Sequence, residues 1–139
     1  MSTPKWVLSP PSVFDIVAGY YPESKPRADT PANRPCLVTK VFQDDETGRY
    51  ACEIAYGTKT LNAVARGDKD LIIQNYSHLD EMGLPVATRF NLDLNKRVVL
   101  EWNESNFKPW SGYKTPRIGQ LTLHYQKDYA WMMGKRGGV

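Results

Sequence analysis

A small, mostly β fold is what this sequence predicts, and three observations carry the prediction. The chain has 139 residues, which is one domain's worth. Hydrophobic residues make up 41% and charged residues 24%, the balance of a chain that builds a core rather than one that stays unfolded. Short runs rich in β-branched and aromatic residues recur along it, divided by polar segments containing Gly and Pro. Five to seven short strands with one or two helices suit a small, mostly antiparallel barrel.

The elements follow in order. Seven of the ten prolines lie in residues 1–35 and none falls between Pro35 and Pro85, so a Pro-rich entry leads into a regular central section. Residues 1–12 read as an N-terminal extension, residues 13–133 as the barrel and residues 134–139 as a basic, Gly-rich tail. Val13 to Tyr21 is rich in β-formers and predicts the first strand. Residues 22–33 have almost nothing to bury and predict a long exposed loop. Cys36–Phe42 and Arg49–Tyr56 predict a hairpin closed by the polar segment 43–48, with Phe42 facing Arg49 or Tyr50. Leu71–Ile73 predicts a short strand after the turn-like Arg66-Gly67-Asp68. Ser77 to Met82 predicts one or two helical turns with Ser77 as N-cap and Gly83 as the stop. Ala87–Leu92 and Lys96–Trp102 are further β runs. Leu121, Tyr125, Tyr129 and Met132 fall on one helical stripe and favour a C-terminal helix beginning near Ile118.

Charge is distributed unevenly. Lys and Arg number 18 against 15 Asp and Glu, a net +3. Residues 1–84 carry nine basic and eleven acidic side chains, whereas residues 85–139 carry nine basic and four acidic. Any anion-seeking surface therefore draws on the C-terminal two-fifths. No apolar run is long enough to span a bilayer and the N-terminus lacks an apolar signal region, so the sequence reads as soluble and cytoplasmic, with no membrane role. Cys36 and Cys52 are too few for a disulfide framework. Either hairpin register keeps them from bridging, and no Cys/His cluster suggests a metal or other cofactor.

One juxtaposition does not depend on the exact register. Arg34 just precedes the first hairpin strand and Thr58 just follows the second, so antiparallel pairing brings both to the same end of the sheet. A guanidinium is a fixed fork that matches phosphate oxygens, and a hydroxyl adds a neutral donor. Gly57 lets the backbone approach a ligand closely. On spacing alone, a loop Arg before Pro is more often the solvated end of a strand.

Residues around this pair carry a resemblance. Arg34-Pro35-Cys36-Leu37-Val38, following Phe14-Asp15-Ile16-Val17, resembles the Arg-Pro-x-Leu/Val-Val and Gly-Asp-Ile-Val strands of the PemK/MazF-like toxins. Ala55-Tyr56-Gly57-Thr58-Lys59 is similar to an Ala-Tyr-Gly-Thr-Ser segment of a PemK-like branch. Pro85-Val86-Ala87-Thr88-Arg89-Phe90-Asn91-Leu92 is similar to a later Pro-Thr-Arg-Phe-Asp-Leu segment. Order and spacing match over roughly residues 13–125, although each motif is short. The resemblance implies an SH3-like barrel, a homodimer, an antitoxin partner and a metal-independent endoribonuclease of a bacterial toxin–antitoxin pair. It implies attack of an RNA 2′-hydroxyl on the adjacent phosphate to leave a cyclic phosphate, with Arg34 and Thr58 as catalytic residues. A guanidinium is a poor free base, so electrostatic stabilisation of the phosphorane is the physically sound role for Arg34. The sequence departs from the pattern in lacking Gly before Asp15, in the long 22–33 insertion and in Lys59, which replaces a small hydroxyl residue and could add a phosphate contact.

The basic half offers a second constellation. Trp102, Phe107, Trp110 and Tyr113 are interleaved with Lys108, Lys114 and Arg117, a mix of stacking faces and cations suited to single-stranded RNA. Trp102 and Phe107 are better read as core or interface anchors. Lys108, Trp110, Tyr113, Lys114 and Arg117 are the candidate RNA contacts, together with Gly57 and Lys59. His78 and His124 have no acidic partner evident in sequence and read as surface or interface residues. Asp44-Asp45-Glu46 reads as a solvated hairpin tip. Arg89 is open between a structural ion pair and an RNA contact. The alternative to a nuclease is a catalytically inactive barrel of phage or mobile-element origin that binds nucleic acid or a host protein.

Overall fold

The computed structural model describes residues 3–20, 33–58 and 70–135. Among them are seven strands: β1 (Asp15–Tyr20), β2 (Asn33–Gln43), β3 (Tyr50–Thr58), β4 (Leu71–Ile73), β5 (Thr88–Phe90), β6 (Val98–Glu101) and β7 (Arg117–Gln120). Two α-helices join them, α1 (Tyr76–Met82) and α2 (Leu123–Lys135). The strands form a curled, antiparallel, half-barrel sheet in the order β4-β5-β3-β2-β1-β7, and β6 pairs with the first half of β3. The mostly β, barrel-like architecture read from the sequence is the architecture of the chain. The 22–32 loop, Lys59, the turn at 66–68 and the last four residues of the tail lie outside the described residues.

The alternation of side chains along the central strands explains why these segments are apolar throughout. Ile16, Ala18, Leu37 and Ala55 point to one face and pack with Phe90, Leu121 and the α2 residues Tyr125, Met132 and Met133. Val17, Cys36, Val38, Cys52, Ile54 and Tyr56 point to the other and pack with Trp6, Trp102 and Phe107. A sheet covered on both faces needs continuous rather than alternating hydrophobicity, as Ile16-Val17-Ala18 shows. The second core is closed by the N-terminal segment, where the 3-10 helix Lys5–Leu8 delivers Trp6 edge-on to Trp102 at 5.0 Å. The Trp102 indole N–H is satisfied by the carbonyls of Trp6 (2.9 Å) and Ser9 (3.1 Å).

Several boundaries differ from the sequence reading for physical reasons. β1 starts at Asp15 because Phe14 adopts a left-handed φ of 75°. The hairpin positions sum to 92 from Cys36↔Tyr56 to Val38↔Ile54 and to 93 from Lys40↔Glu53 onward, because a bulge at Thr39 inserts one residue. Thr39 is buried there and its hydroxyl meets the Glu53 carboxylate at 2.8 Å. Both cysteines are free, buried and on the same face. Asn75, not Ser77, caps α1, its side chain accepting from the Ser77 N–H at 3.0 Å, and Gly83 ends the helix with φ 72°. The segment after Pro116 is split: Arg117–Gln120 is a strand paired to β1, and the helix begins at Leu123 instead of near Ile118. Within the helix, Tyr125 and Met132 are buried and Tyr129 packs partly buried against the same core, whereas Leu121, expected on that stripe, is buried ahead of the helix.

Candidate functional site

The second core turns polar as β2 and β3 run towards their shared end. On one face β2 presents Val38, Cys36 and then Arg34, while β3 presents Ile54, Tyr56 and then Thr58. Continuing the Cys36↔Tyr56 register by two residues sets Arg34 across from Thr58. Thr58 is in turn the direct partner of Arg89 on β5, which faces Ile72 on β4. On the other side Arg34 pairs with Gly19 of β1, and Gly19 forms a bridge to Phe107. One transverse row, Phe107–Gly19–Arg34–Thr58–Arg89–Ile72, thus crosses the sheet.

A cavity of about 240 Å³ opens on this row, lined by Arg34, Tyr56, Gly57, Thr58, Arg89, Asn91 and Lys96. Three of these are cationic and none is acidic. Such a lining favours an anion at a site with low-dielectric walls. Gly57 is constrained by its neighbours, since a Cβ there would lie 2.7 Å from the Pro35 carbonyl oxygen and 3.0 Å from Phe90 and Thr88. The missing side chain lets β2, β3 and β5 close together under the cavity. Tyr56 closes its floor and donates its hydroxyl to the Tyr20 carbonyl at 3.0 Å.

Arg89 is both an ion-pair residue and a cavity residue. Its Nη1 lies 2.6 Å from Asp70 Oδ2, whose side chain is wholly buried, and Asp70 Oδ1 accepts from the Leu92 N–H at 3.3 Å. Behind Arg34, burial pushes the Cys36 thiol far above its ordinary value; the nearby Cys52 adds to this, and a hydrogen bond with the Gly19 backbone and the Arg34 guanidinium oppose it. Burial raises Cys52 to about 12. Neither thiol is a nucleophile at neutral pH.

The candidate RNA contacts fall in two groups. Arg34, Gly57 and Thr58 are brought together. Lys108, Trp110, Tyr113, Lys114 and Arg117 do not line the cavity. Residues 108–116 instead leave and rejoin the edge of β1 at a single residue: the Lys108 N–H donates to the Ala18 carbonyl at 3.2 Å, and the Ala18 N–H to that of Pro116 at 2.8 Å. Lys108 is exposed and follows the row's first residue; Lys114 and Tyr113 are exposed further out. Trp110 is half-buried against the first core and edge-on to Tyr113 at 6.2 Å. Arg117 is engaged in structure, its Nε 3.1 Å from Asp15 Oδ2 and its Nη2 donating to the Pro10 carbonyl. Trp102 and Phe107 are buried anchors.

Sequence reasoning missed Asn91, Lys96 and the buried Asp70. A signal existed for Asn91, because Arg89 and Asn91 flank buried Phe90 at the two-residue period of a strand. Lys96 arrives through a 3-10 turn, Leu94–Lys96, capped by the Asp93 side chain. His78 and His124 also find partners: His78 Nδ1 meets the Tyr125 hydroxyl at 2.5 Å, and His124 Nε2 lies 3.6 Å from Asp128 one helical turn on. A larger hollow of about 490 Å³ lies by the hairpin tip, but among its described lining residues Glu101 and Glu104 outnumber the one cation, Arg49. That charge repels a polyanion.

Among the described residues no group of three or more metal-ligating side chains comes together, and no helix is long and apolar enough to cross a membrane. Neither a scan against protein-family models nor a search of curated proteins returned a match to this chain.

Proposed function

We propose that this chain is an endoribonuclease of the toxin type that cleaves single-stranded RNA by internal transesterification at the Arg34/Thr58 cavity. The observation that carries the reading is the convergence of Arg34, Thr58, Arg89 and Lys96 on one cavity whose described lining residues include no acidic side chain. In the proposed reaction the 2′-oxygen bonds to phosphorus while the bond to the 5′-oxygen breaks. The 2′-hydroxyl proton passes to solvent and the departing oxygen takes one up, leaving a 2′,3′-cyclic phosphate and a 5′-hydroxyl. Arg34 and Thr58 hold the non-bridging oxygens, where charge accumulates in the phosphorane, and such donors are worth about 10²–10³ in rate. Side chains supply the charge stabilisation, so activity is expected without a divalent ion. The same proposal includes a second copy of the chain and an antitoxin protein as partners.

A binding module on the same barrel is the second reading. It is favoured by one fact, that the described lining contains no carboxylate or imidazole able to take the 2′-hydroxyl proton. Incubation of the purified protein with mixed-sequence single-stranded RNA in EDTA separates the two. Cleavage that disappears in folded Arg34→Ala and Thr58→Ala variants supports the nuclease; salt-dependent binding with no cleavage supports the module.

A further inference from the structure

We propose that Arg97 is a positioning residue for the candidate site and that α2 is its anchor: a buried chain of contacts, Arg89–Asp70–Leu92–Arg97–Tyr129, sets one wall of the cavity from the helix behind it. The inference rests on the RNA reading above for what that wall meets. Three cavity residues, Arg89, Asn91 and Lys96, belong to β5 and to the segment 91–96 that links it to Arg97 and β6. Much of the hydrogen bonding in this segment is local. The Lys96 N–H donates to the Asp93 carbonyl at 2.9 Å, and the Asn91 and Asp93 side chains accept from the Asp93 and Asn95 N–H groups. Local bonds shape a turn but do not fix where it lies on the sheet.

Placement comes from the two ends of the chain of contacts. The Asn91 N–H ties the start of the segment to the Tyr56 carbonyl of β3, and buried Leu92 is then gripped at both of its backbone groups. Its N–H donates to Asp70 Oδ1 at 3.3 Å and its carbonyl accepts from Arg97 Nη2 at 3.3 Å. Asp70 holds Arg89 through its other oxygen at 2.6 Å. Arg97 follows Lys96 directly and passes the grip to α2, where its Nη1 donates to the Tyr129 hydroxyl at 2.8 Å and its Nη2 meets Met133 Sδ at 3.1 Å. The same Nη1 lies 3.4 Å from the Glu53 carboxylate of β3.

The residue type supports the role. The Arg97 side chain is only 4% exposed, and among the described residues its buried Nε has no hydrogen-bond partner. An apolar side chain packs against α2 without leaving a polar atom unpaired, so packing alone does not account for an arginine here. A rigid fork of donors can hold a backbone carbonyl, a phenol and a carboxylate together. With the Tyr129 end removed, the guanidinium is held less firmly at Leu92, and Lys96 beside it loses its fixed place in the lining.

The test uses the full chain, with Tyr129→Phe to remove the hydroxyl and keep the ring. Val41→Ala, in the second core and away from the chain of contacts, controls for lost stability. Two quantities are read: amide hydrogen exchange, and affinity for a mixed-sequence 2′-deoxy oligonucleotide that cannot be cleaved. Tyr129→Phe is expected to speed exchange at Leu92 and Lys96 about two- to thirtyfold beyond any change in the β1 amides, and to weaken probe binding by a similar factor. Val41→Ala is expected to lower the urea midpoint and leave both quantities in place. Exchange at Leu92 and Lys96 that rises no more than in β1 overturns the proposal. So does selective loosening with unchanged probe affinity, or a Val41→Ala affinity loss as large as that of Tyr129→Phe. If the wild type neither binds the probe nor cleaves RNA, the RNA reading fails and the exchange pattern alone decides whether Arg97 sets the wall.

Discussion

Thr58, the last residue of β3, and Arg89, the middle residue of β5, are direct cross-strand partners, and both line the cavity that Arg34 reaches from β2. A neutral donor thus stands between two guanidiniums. Thr58→Val keeps the branched shape and removes only the hydroxyl. RNA cleavage is expected to fall about a hundredfold, with little change in the thermal midpoint, as measured by gel-based initial rates and circular dichroism. Full activity in this variant would remove Thr58 from the chemistry.

Asp70 has a distinct energetic signature. Breaking a buried ion pair by removing one partner costs about 3–5 kcal/mol, because the other charge stays buried. Asp70→Ala is expected to lose that much in urea unfolding, since the Asp70 side chain is fully buried and Arg89 nearly so. Asp70→Asn/Arg89→Gln, which keeps the shapes and removes both charges, is expected to lose far less.

Gly57→Ala places a methyl 2.7 Å from the Pro35 carbonyl oxygen, a backbone atom that cannot swing aside. Overpacking of this kind costs about 1–3 kcal/mol. The strands carrying Arg34 and Thr58 are forced apart at the same time. The expected result is a lowered urea midpoint together with a fall in cleavage rate that saturating RNA does not restore.

Alkaline pH tests the buried thiols. A thiol's ordinary value is 9.0, whereas Cys52 is raised to about 12 and Cys36 is raised as well. Below pH 9 both states hold their protons and the full stability is present. Above it the unfolded chain releases protons that the folded chain retains, so stability falls as pH rises from about 9 towards 12, by up to about 1.4 kcal/mol per pH unit for each thiol. Unfolding free energies from urea titrations at pH 8.5 and 10.5 are expected to differ more in the wild type than in Cys36→Ala/Cys52→Ala.

Much of this architecture is legible in the residues. Leu71–Ile73 stands out as a β run and is a strand with those bounds. The hairpin end that brings Arg34 to Thr58 follows from antiparallel pairing alone, since a one-residue bulge at Thr39 changes the register near the turn and leaves the far end together. What was not legible came from contacts with no local signature. Asp70 meets Arg89 across 19 positions, and the Gly19–Phe107 bridge spans far more. The C-terminal helix start shifted because Ile118 satisfies both a helical stripe and a strand, and pairing to the open edge of β1 decided between them. Arg117 looked like a phosphate ligand by charge, yet its guanidinium is engaged by Asp15 and the Pro10 carbonyl, two groups from a distant part of the chain.

The chemistry of the cut ends tests the central claim most directly. Mixed-sequence single-stranded RNA is incubated with the purified chain in EDTA, and the product termini are read by mass spectrometry. The account predicts 2′,3′-cyclic phosphate and 5′-hydroxyl ends from the wild type and none from Arg34→Ala or Thr58→Ala. Ends bearing a 5′-phosphate, or intact RNA throughout, would contradict it.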